Sequence, residues 1–245
     1  SLVKMAEVDV GRKGAQLKKF VMTPTPHQAV VGGDIVDVNA LSETVSYLYS
    51  ELQTKTKMMA TALWGTSVIV KKVTIPQMDE SLVGEQIRWE AEQYIPFDIN
   101  EVNLAYEILK NSSKNSEAME ILLVAGRKDS VSRYVQVVEG AGLACKILDI
   151  GGFALANCFE SNFGRLKDQA VAILNIGASA TNFVVIEDGD VVFCRDIPVG
   201  GLTYNGELEK SLNVSAEEAE SIKLSVSNNQ PAPDVAVSII NSTHD

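Results

Sequence analysis

The chain has 245 residues, of which 46% are apolar and 22% charged, so it can form substantial hydrophobic cores and is not a disordered protein. Its formal net charge of −11 excludes the concentrated basic surface that binding to a nucleic-acid backbone requires. No apolar run approaches the roughly 20 residues of a membrane helix, and no signal peptide is visible, so we expect a soluble cytoplasmic protein without a membrane span.

The first part of the sequence predicts a strand pair, a helix and two further strands. Strands are expected over residues 2–10 and 17–22, with a glycine-containing turn between them. Asn39 is a plausible N-cap for a helix whose apolar face is Leu41, Val45, Leu48, Tyr49 and Leu52. Two strands, over residues 59–64 and 67–75, follow around Gly65.

A separate α/β module is predicted between Pro76 and Gly142. Asp79 can cap a helix that Pro96 ends, with Val83, Ile87, Ala91 and Tyr94 on one face. Strands over residues 102–109 and 118–125 are joined by the polar loop 111–117, and a helix over residues 130–141 follows. We expect Trp89 to be buried in the core of this module.

The last part of the sequence begins with a strand over residues 145–150 and a helix over residues 153–163. Ala170–Ile176 is an almost continuous apolar run, which is typical of a strand buried on both faces. Strands over residues 181–186 and 191–197 join at Asp188-Gly189, a strong hairpin signal. A helix then follows Gly201, another begins at Ser215 with Glu218 as a capping box, and residues 225–234 are expected to be a loop.

The cysteines and histidines predict no metal site. Cys145, Cys158 and Cys194 lie in apolar patterns and are expected to be three buried thiols of a reducing compartment. His27 and His244 are far from each other and from the cysteines, so a zinc site is not expected.

The segment Asn175–Thr181 is the main candidate for chemistry. A strand enters a turn of small residues, and Gly177 permits a close approach of the backbone. Consecutive amides of such a turn can bind phosphate oxygens, and the hydroxyls of Ser179 and Thr181 can add hydrogen bonds. The small residues of this turn are Gly177, Ala178, Ser179, Ala180 and Thr181. A phosphate site and an ordinary hairpin turn both remain open at this point.

Two further pairs of residues have a functional and a structural interpretation. Gly200 and Gly201 precede a helix, where glycines let a phosphate approach the helix N-terminus or simply form a flexible turn. Glu220 and Lys223 are three residues apart on a helix, either as a surface ion pair or as contacts to the ribose and base of a nucleotide. Spacing alone does not decide between these interpretations.

Residues 87–98, which read IRWEAEQYIPFD, resemble a signature of the PilM family of type IV pilus assembly proteins. The order of the small-residue turn, the hairpin, the Gly-Gly helix and the Glu-x-x-Lys helix is similar to the second half of an actin-like ATPase core. The module of residues 75–144 resembles the insertion found in FtsA and PilM. The resemblance covers essentially the whole chain.

The resemblance implies an α/β fold with an actin-like (ribonuclease H-like) ATPase core and an inserted α/β module. It implies a first core subdomain over residues 1–74 and 145–168, the module over 75–144, and a second core subdomain over 169–245. The start of the first phosphate loop and a later adenine-binding loop of the family are not found, so we expect the chain to be truncated at both ends.

The same resemblance implies a site for ATP with Mg²⁺. The second phosphate loop of the family matches Asn175–Thr181, its Gly-Gly segment matches Gly200 and Gly201, and its nucleotide-contacting pair matches Glu220 and Lys223. Lys4 falls at the tail of the first phosphate loop. Asn175 stands where many actin-like proteins have an acidic residue, and an amide is a weaker ligand for Mg²⁺ near this position, so little or no turnover is expected.

The function implied by the family is that of a cytoplasmic scaffold of the pilus inner-membrane platform. Its expected partners are the N-terminal peptide of a PilN-like membrane protein and other platform and motor components. In the family, the peptide lies between the inserted module and the first core subdomain, but the sequence does not identify the contact residues. The alternatives are an FtsA-like cell-division protein, a type II secretion platform protein and, with no candidate base, an actin-fold small-molecule kinase.

Overall fold

The structure is a computed structural model that describes residues 1–11, 14–109 and 117–243. Most of the predicted loop 111–117, and His244, lie outside the described residues. The chain forms two compact units. Unit 1 comprises Ser1–Leu174 with Asn182–Asp196, and unit 2 comprises Asn175–Thr181 with Ile197–Asp245. The division into two subdomains and a module stays a prediction.

The described residues form twelve strands and seven helices. The strands are β1 Leu2–Gly11, β2 Gly14–Pro24, β3 Val30–Val31, β4 Asp34–Ile35, β5 Met58–Leu63, β6 Val68–Pro76, β7 Val102–Ile108, β8 Ala118–Arg127, β9 Ala144–Ile150, β10 Ala170–Ile176, β11 Thr181–Glu187 and β12 Asp190–Ile197. The helices are α1 Val38–Leu52, α2 Glu80–Tyr94, α3 Lys128–Gly140, α4 Gly151–Phe163, α5 Gly201–Leu212, α6 Ala216–Ser227 and α7 Asp234–Ser242. A single 3-10 turn spans Ile99–Glu101.

In unit 1, the antiparallel pair β1–β2 packs one face against α1, which also packs against α3, and β5 pairs in parallel with β9. The predicted N-cap of α1 is wrong by two residues. The carboxylate of Asp37, not Asn39, accepts the hydrogen bond from the amide of Ala40 at 2.9 Å. Asp37 has the extended backbone that an N-cap requires, whereas Asn39 already lies in the first helical turn.

The inserted segment forms a three-stranded antiparallel sheet in the order β6–β8–β7, and α2 covers one face of it. The predicted N-cap Asp79 is confirmed, since its side chain accepts from the amide of Ser81. The apolar stripe of α2, Val83, Ile87 and Ala91, is buried against the sheet. The expectation for Trp89 is wrong, because this side chain lies on the opposite side of the helix and is 71% exposed.

Another three-stranded sheet has the order β10–β11–β12, with α4 packed against it through Ala156 and Val184. Asp188 and Gly189 both have positive φ, which confirms the predicted hairpin turn. The prediction that Ala170–Ile176 is buried on both faces is wrong. Only alternate side chains of β10, Val171 and Ile173, pack in the cluster with α4, and Ile176 is 72% exposed.

The expectation of three buried thiols is also wrong. Cys158 is exposed on α4, while Cys145 and Cys194 are half-buried. Burial raises the pKa of Cys194 to about 11, with a smaller effect of Asp196, so this thiol stays protonated near neutral pH. The three cysteines therefore differ in environment rather than sharing one core.

Unit 2 contains the helices α5, α6 and α7, which pack around Leu208, Ala219 and Ala236. The predicted capping box at the start of α6 is confirmed, with Ser215 and Glu218 bonded reciprocally. Helix α6 continues to Ser227, so the predicted loop begins three residues later than expected. No helix in the described part of the chain is long and apolar enough to cross a membrane.

Candidate functional site

The small-residue turn of unit 2 is closed by its own backbone. The amide of Gly177 donates to the carbonyl of Ala180 at 2.9 Å. A Cβ atom at residue 177 would lie 2.8 Å from that carbonyl oxygen, so the turn requires glycine for its own closure. The amide of Gly177 is thus used within the turn, whereas Ser179 is exposed at its tip. The anion site expected from consecutive amides therefore excludes this first amide.

The first residues of α5 are hydrogen-bonded to carbonyl oxygens of the same turn. The amides of Gly201 and Leu202 donate to the carbonyls of Gly177 and Ala178 at 2.9 and 2.7 Å. A Cβ atom at Gly200 would lie 2.6 and 2.7 Å from those two oxygens, so only glycine allows this close packing. The amides of Gly201 and Leu202 are thus used to hold the turn, and the role of Gly200 and Gly201 beside a phosphate stays a prediction.

The hydroxyl of Thr181 also serves the local structure. It donates to the carbonyl of Val199 at 2.8 Å, just before the Gly-Gly segment. This bond, together with the two amide bonds of α5, joins the turn to the helix start at three points. The turn and the first residues of α5 are therefore one preorganised backbone feature, with the exposed Ser179 at its outer end.

Glu220 and Lys223 form the predicted pair on α6. The ammonium of Lys223 donates to Oε2 of Glu220 at 2.6 Å and to the carbonyl of Gly201 at 3.2 Å. The pair therefore connects α6 to the residue that anchors the turn. The hydrogen bond from Lys223 lowers the pKa of Glu220, and a second one from Asn205 adds to this effect. The carboxylate is ionised at neutral pH.

Asn205 is the site residue that sequence reasoning missed. Its side-chain amide donates to Oε2 of Glu220 at 2.7 Å, and the residue is only 4% exposed. A signal was present, since Asn205 occupies the apolar stripe of α5 that continues with Leu208 and Leu212. A polar residue in such a stripe indicates a buried hydrogen bond.

The two remaining predicted residues lie in strands rather than on α5 or α6. Lys4 lies in β1 of unit 1, opposite Met22, and is exposed. Asn175 is the penultimate residue of β10 and is exposed as well. No group of three or more histidine, cysteine or acidic side chains suited to a metal ion occurs among the residues that the structure describes. The roles of Lys4 and Asn175 stay predictions.

The arrangement in unit 2 fits a phosphorylated, hydroxyl-bearing ligand. The tip of the turn is exposed at Ser179, and Lys223 places a positive charge beside the start of α5. The ionised Glu220 can accept hydrogen bonds from hydroxyl groups. This is the donor and acceptor set that a nucleotide requires.

A cavity of about 310 Å³ lies in unit 1. The apolar side chains Leu109, Leu122, Phe153 and Phe159 contribute to its lining. Carboxylates of Glu107, Asp149 and Glu160 also line it, and none of the three forms an ion pair within the described residues. Arg165 and Asp190 line the cavity too and pair with each other, so the other three carboxylates give it an excess of negative charge. Apolar walls with this charge suit a cationic group on an apolar stem.

The comparisons with known proteins identify a family model and several similar proteins. A family model described as type IV pilus assembly protein PilM matches residues 1–232. A solved PilM-PilN type IV pilus biogenesis complex is similar with a TM-score of 0.86 and 27% identity, over 99% of this chain and 70% of that one. The ethanolamine utilization protein EutJ from Carboxydothermus hydrogenoformans has a TM-score of 0.48 and 17% identity, over 90% and 61% of the two chains.

The cell division protein FtsA of Bacillus subtilis (strain 168) is 32% identical over 105 residues, which are 43% of this chain and 23% of FtsA. The chain therefore matches less than a quarter of the length of that relative. The prediction of an α/β fold of the actin-like class is confirmed. Since the family model spans nearly the whole chain, the protein belongs to the PilM family of type IV pilus assembly proteins.

Proposed function

We propose that the protein is an actin-like scaffold of the type IV pilus inner-membrane platform. It binds ATP through the turn and helices of unit 2, and it binds the N-terminal cytoplasmic peptide of a PilN-like membrane protein. It lies in the cytoplasm and is held at the inner membrane by that partner. The observation that carries this proposal is the turn Asn175–Thr181 fixed to the start of α5, with Glu220 and Lys223 beside it.

The three bonds between the turn and the segment Val199–Leu202 support nucleotide binding by preorganisation. A ligand that contacts the exposed tip at Ser179 meets a backbone that is already ordered, so little conformational entropy is lost on binding. Lys223 supplies positive charge, and Glu220 supplies an acceptor for hydroxyl groups.

We expect ATP to be bound with little hydrolysis. Asn175 would hold Mg²⁺ or its waters through an amide oxygen, which is a weaker ligand than a carboxylate. As a regulatory ligand, ATP changes the relative stability of two conformations and so alters the affinity for the partner. This role requires no general base.

The cavity of unit 1 supports peptide binding. It is bordered by Leu122 of the inserted sheet and by Phe153 of α4, so a peptide there would contact both elements. Its volume of about 310 Å³ is at the lower end of small-ligand sites and accommodates a few side chains of a short segment. The carboxylates of Glu107 and Glu160 favour a peptide with basic residues.

Calorimetric titration of the PilN-like peptide into the protein, with and without Mg-ATP, tests both parts of the proposal. We expect saturable binding of the peptide and a change of its affinity when Mg-ATP is present. Absence of peptide binding in both conditions, together with binding to lipid vesicles without a partner, would instead favour the FtsA-like alternative.

The location of the peptide is tested by removing the negative charge of two carboxylates that line the cavity. The double change Glu107→Gln and Glu160→Gln is expected to weaken peptide binding by about two- to fivefold for each charge, and less at high salt. The matched control is Glu51→Gln on the exposed surface of α1, which should leave the affinity unchanged. Equal affinities for all three proteins would place the peptide elsewhere.

A further inference from the structure

Asn205 is held in an unusual environment for an amide. The residue is 4% exposed, and its Nδ2 donates to Oε2 of Glu220 at 2.7 Å. Its Oδ1 is buried and has no hydrogen-bond partner among the described residues. A buried acceptor without a partner destabilises a protein, so stability alone does not explain an amide at this position. Leucine, whose side chain has a similar shape, would place no unpartnered acceptor at this position.

The amide and Lys223 act on the same oxygen of Glu220. The ammonium of Lys223 and the amide of Asn205 both donate to Oε2, at 2.6 and 2.7 Å. Within the described residues, no hydrogen bond engages the second oxygen, Oε1. The side chain of Glu220 is 43% exposed, so a ligand can reach this carboxylate. Two donors on one oxygen fix the plane of the carboxylate and leave the other oxygen as an acceptor.

We propose that Asn205 is a positioning residue that makes the site selective for a ligand with free ribose hydroxyls. It orients Glu220 so that Oε1 accepts from a hydroxyl group, and it does so without contacting the ligand. This inference rests on the proposed binding of ATP in unit 2. The buried, unpartnered Oδ1 follows from this role, because the donor end of the amide must face Glu220.

The test compares Mg-ATP with a dideoxy analogue of ATP that lacks both ribose hydroxyls, by calorimetric titration of the 245-residue chain. We expect the unchanged protein to prefer ATP by about 10- to 100-fold, as for a hydrogen bond to a charged group. In Asn205→Leu, the affinity for ATP should fall to nearly that for the analogue, while the affinity for the analogue stays the same. A purely structural role would weaken both nucleotides equally.

A second variant keeps the shape of the side chain. In Asn205→Asp, two carboxylates face each other at neutral pH, so Glu220 is repelled and the preference for ATP is lost. As the pH falls and the two carboxylates share a proton, a protonated carboxyl can donate as the amide does. We therefore expect the preference to return in part at acidic pH for Asn205→Asp but not for Asn205→Leu. The control Asn241→Leu, on the exposed side of α7, should keep the full preference.

The outcomes separate this inference from the proposed function. Equal affinity of the unchanged protein for both nucleotides, or an unchanged preference in Asn205→Leu, overturns the role of Asn205 and leaves ATP binding intact. Failure of the unchanged protein to bind either nucleotide overturns the ATP site and this inference with it.

Discussion

Gly200 and Gly206 are six residues apart and meet opposite surroundings. A Cβ atom at Gly200 would lie within 2.7 Å of two backbone oxygens of the turn, which cannot move aside as a flexible side chain can. A Cβ atom at Gly206, inside α5, would meet nothing within 4 Å. The two glycines, one that caps α5 and one inside it, therefore form a matched pair for mutation.

We predict that Gly200→Ala lowers the free energy of unfolding by about 1–3 kcal/mol through overpacking and abolishes ATP binding. Gly206→Ala should instead raise stability by about 1 kcal/mol, because alanine is the better helix former, and leave ATP binding unchanged. Urea unfolding and nucleotide titration of both variants check this prediction. Equal effects of the two changes would contradict the packing of the turn on α5.

The sequence also predicts that Gly177→Val abolishes nucleotide binding by filling the phosphate position. The structure supplies a different reason for the same outcome, because a side chain there would collide with the carbonyl of Ala180 and open the turn. Nucleotide titration of Gly177→Val still tests the site, and unchanged affinity would show that the turn is not part of it. The pattern of small residues predicts the turn, but only the coordinates show which contact needs glycine.

At Trp89, exposure reverses the expected effect of a mutation. Trp89→Ala should change the free energy of unfolding by no more than about 0.5 kcal/mol, because the side chain is 71% exposed. Ile87→Ala, two residues earlier and 2% exposed, should cost about 2–5 kcal/mol. Thermal unfolding of both variants checks the contrast. A large loss for Trp89→Ala would mean that this side chain is buried after all.

At the scale of elements, α1 shows how far capping rules extend. The helix and its apolar face follow from the spacing of Leu41, Val45 and Leu48. The identity of the N-cap does not follow from the sequence, since Asp37 and Asn39 are both good capping residues and both precede the apolar stripe. The choice depends on where the chain leaves β4, which tertiary contacts set. Sequence patterns therefore fix the existence of the helix better than its first residue.

We predict that Asp37→Ala destabilises the protein by about 0.5–2 kcal/mol, through loss of the bond to the amide of Ala40. Asn39→Ala should be neutral or slightly stabilising, because alanine is favoured inside a helix. Urea unfolding at neutral pH distinguishes the two. A larger loss for Asn39→Ala would restore the original assignment of the cap.

The attachment of α6 to α5 through Glu220 gives a prediction about pH. Lys223 first, and Asn205 second, lower the pKa of Glu220, so its ionised form stabilises the folded state above the ordinary glutamate pKa of about 4.3. This contribution is lost as the pH falls through the lowered value. The difference in stability between the unchanged protein and Glu220→Gln should therefore shrink from neutral to acidic pH. A difference that does not vary with pH would exclude this linkage.

At the scale of the whole molecule, the order of the main strands and helices follows from the sequence, and the actin-like class follows from the family resemblance. The short strands β3 and β4 and the helix α7 are not predicted. The burial of individual side chains is predicted less well from the sequence. The apolar run Ala170–Ile176 has the composition of a central strand, yet β10 is an edge strand with Leu174 and Ile176 exposed. Composition reports the chemistry of a strand, whereas burial depends on which elements pack against it. Cys158 likewise lies in an apolar sequence pattern but is exposed on α4, because its burial depends on the packing of neighbouring elements.

The units differ in the size of their cores, and this predicts where the molecule opens first. The core around α2 and β8 contains eleven buried residues, whereas the core of α5, α6 and α7 contains three. Because local stability follows buried apolar contacts, amides of α5–α7 should exchange with solvent faster than those of β8. Hydrogen-exchange mass spectrometry measures this directly. Uniform protection of both sets would show that they unfold together.

The bonds between the turn and α5 have a consequence for how relatives of this protein diverge. Gly200 is required by the backbone contact with Ala178, whether or not a nucleotide ever occupies the site. A descendant that lost its ligand would still be constrained to keep this glycine, while the exposed Ser179 would be free to change. Retention of the Gly-Gly pair in a distant sequence is therefore evidence of the shape of the turn, and the residues around it are the better record of what it binds.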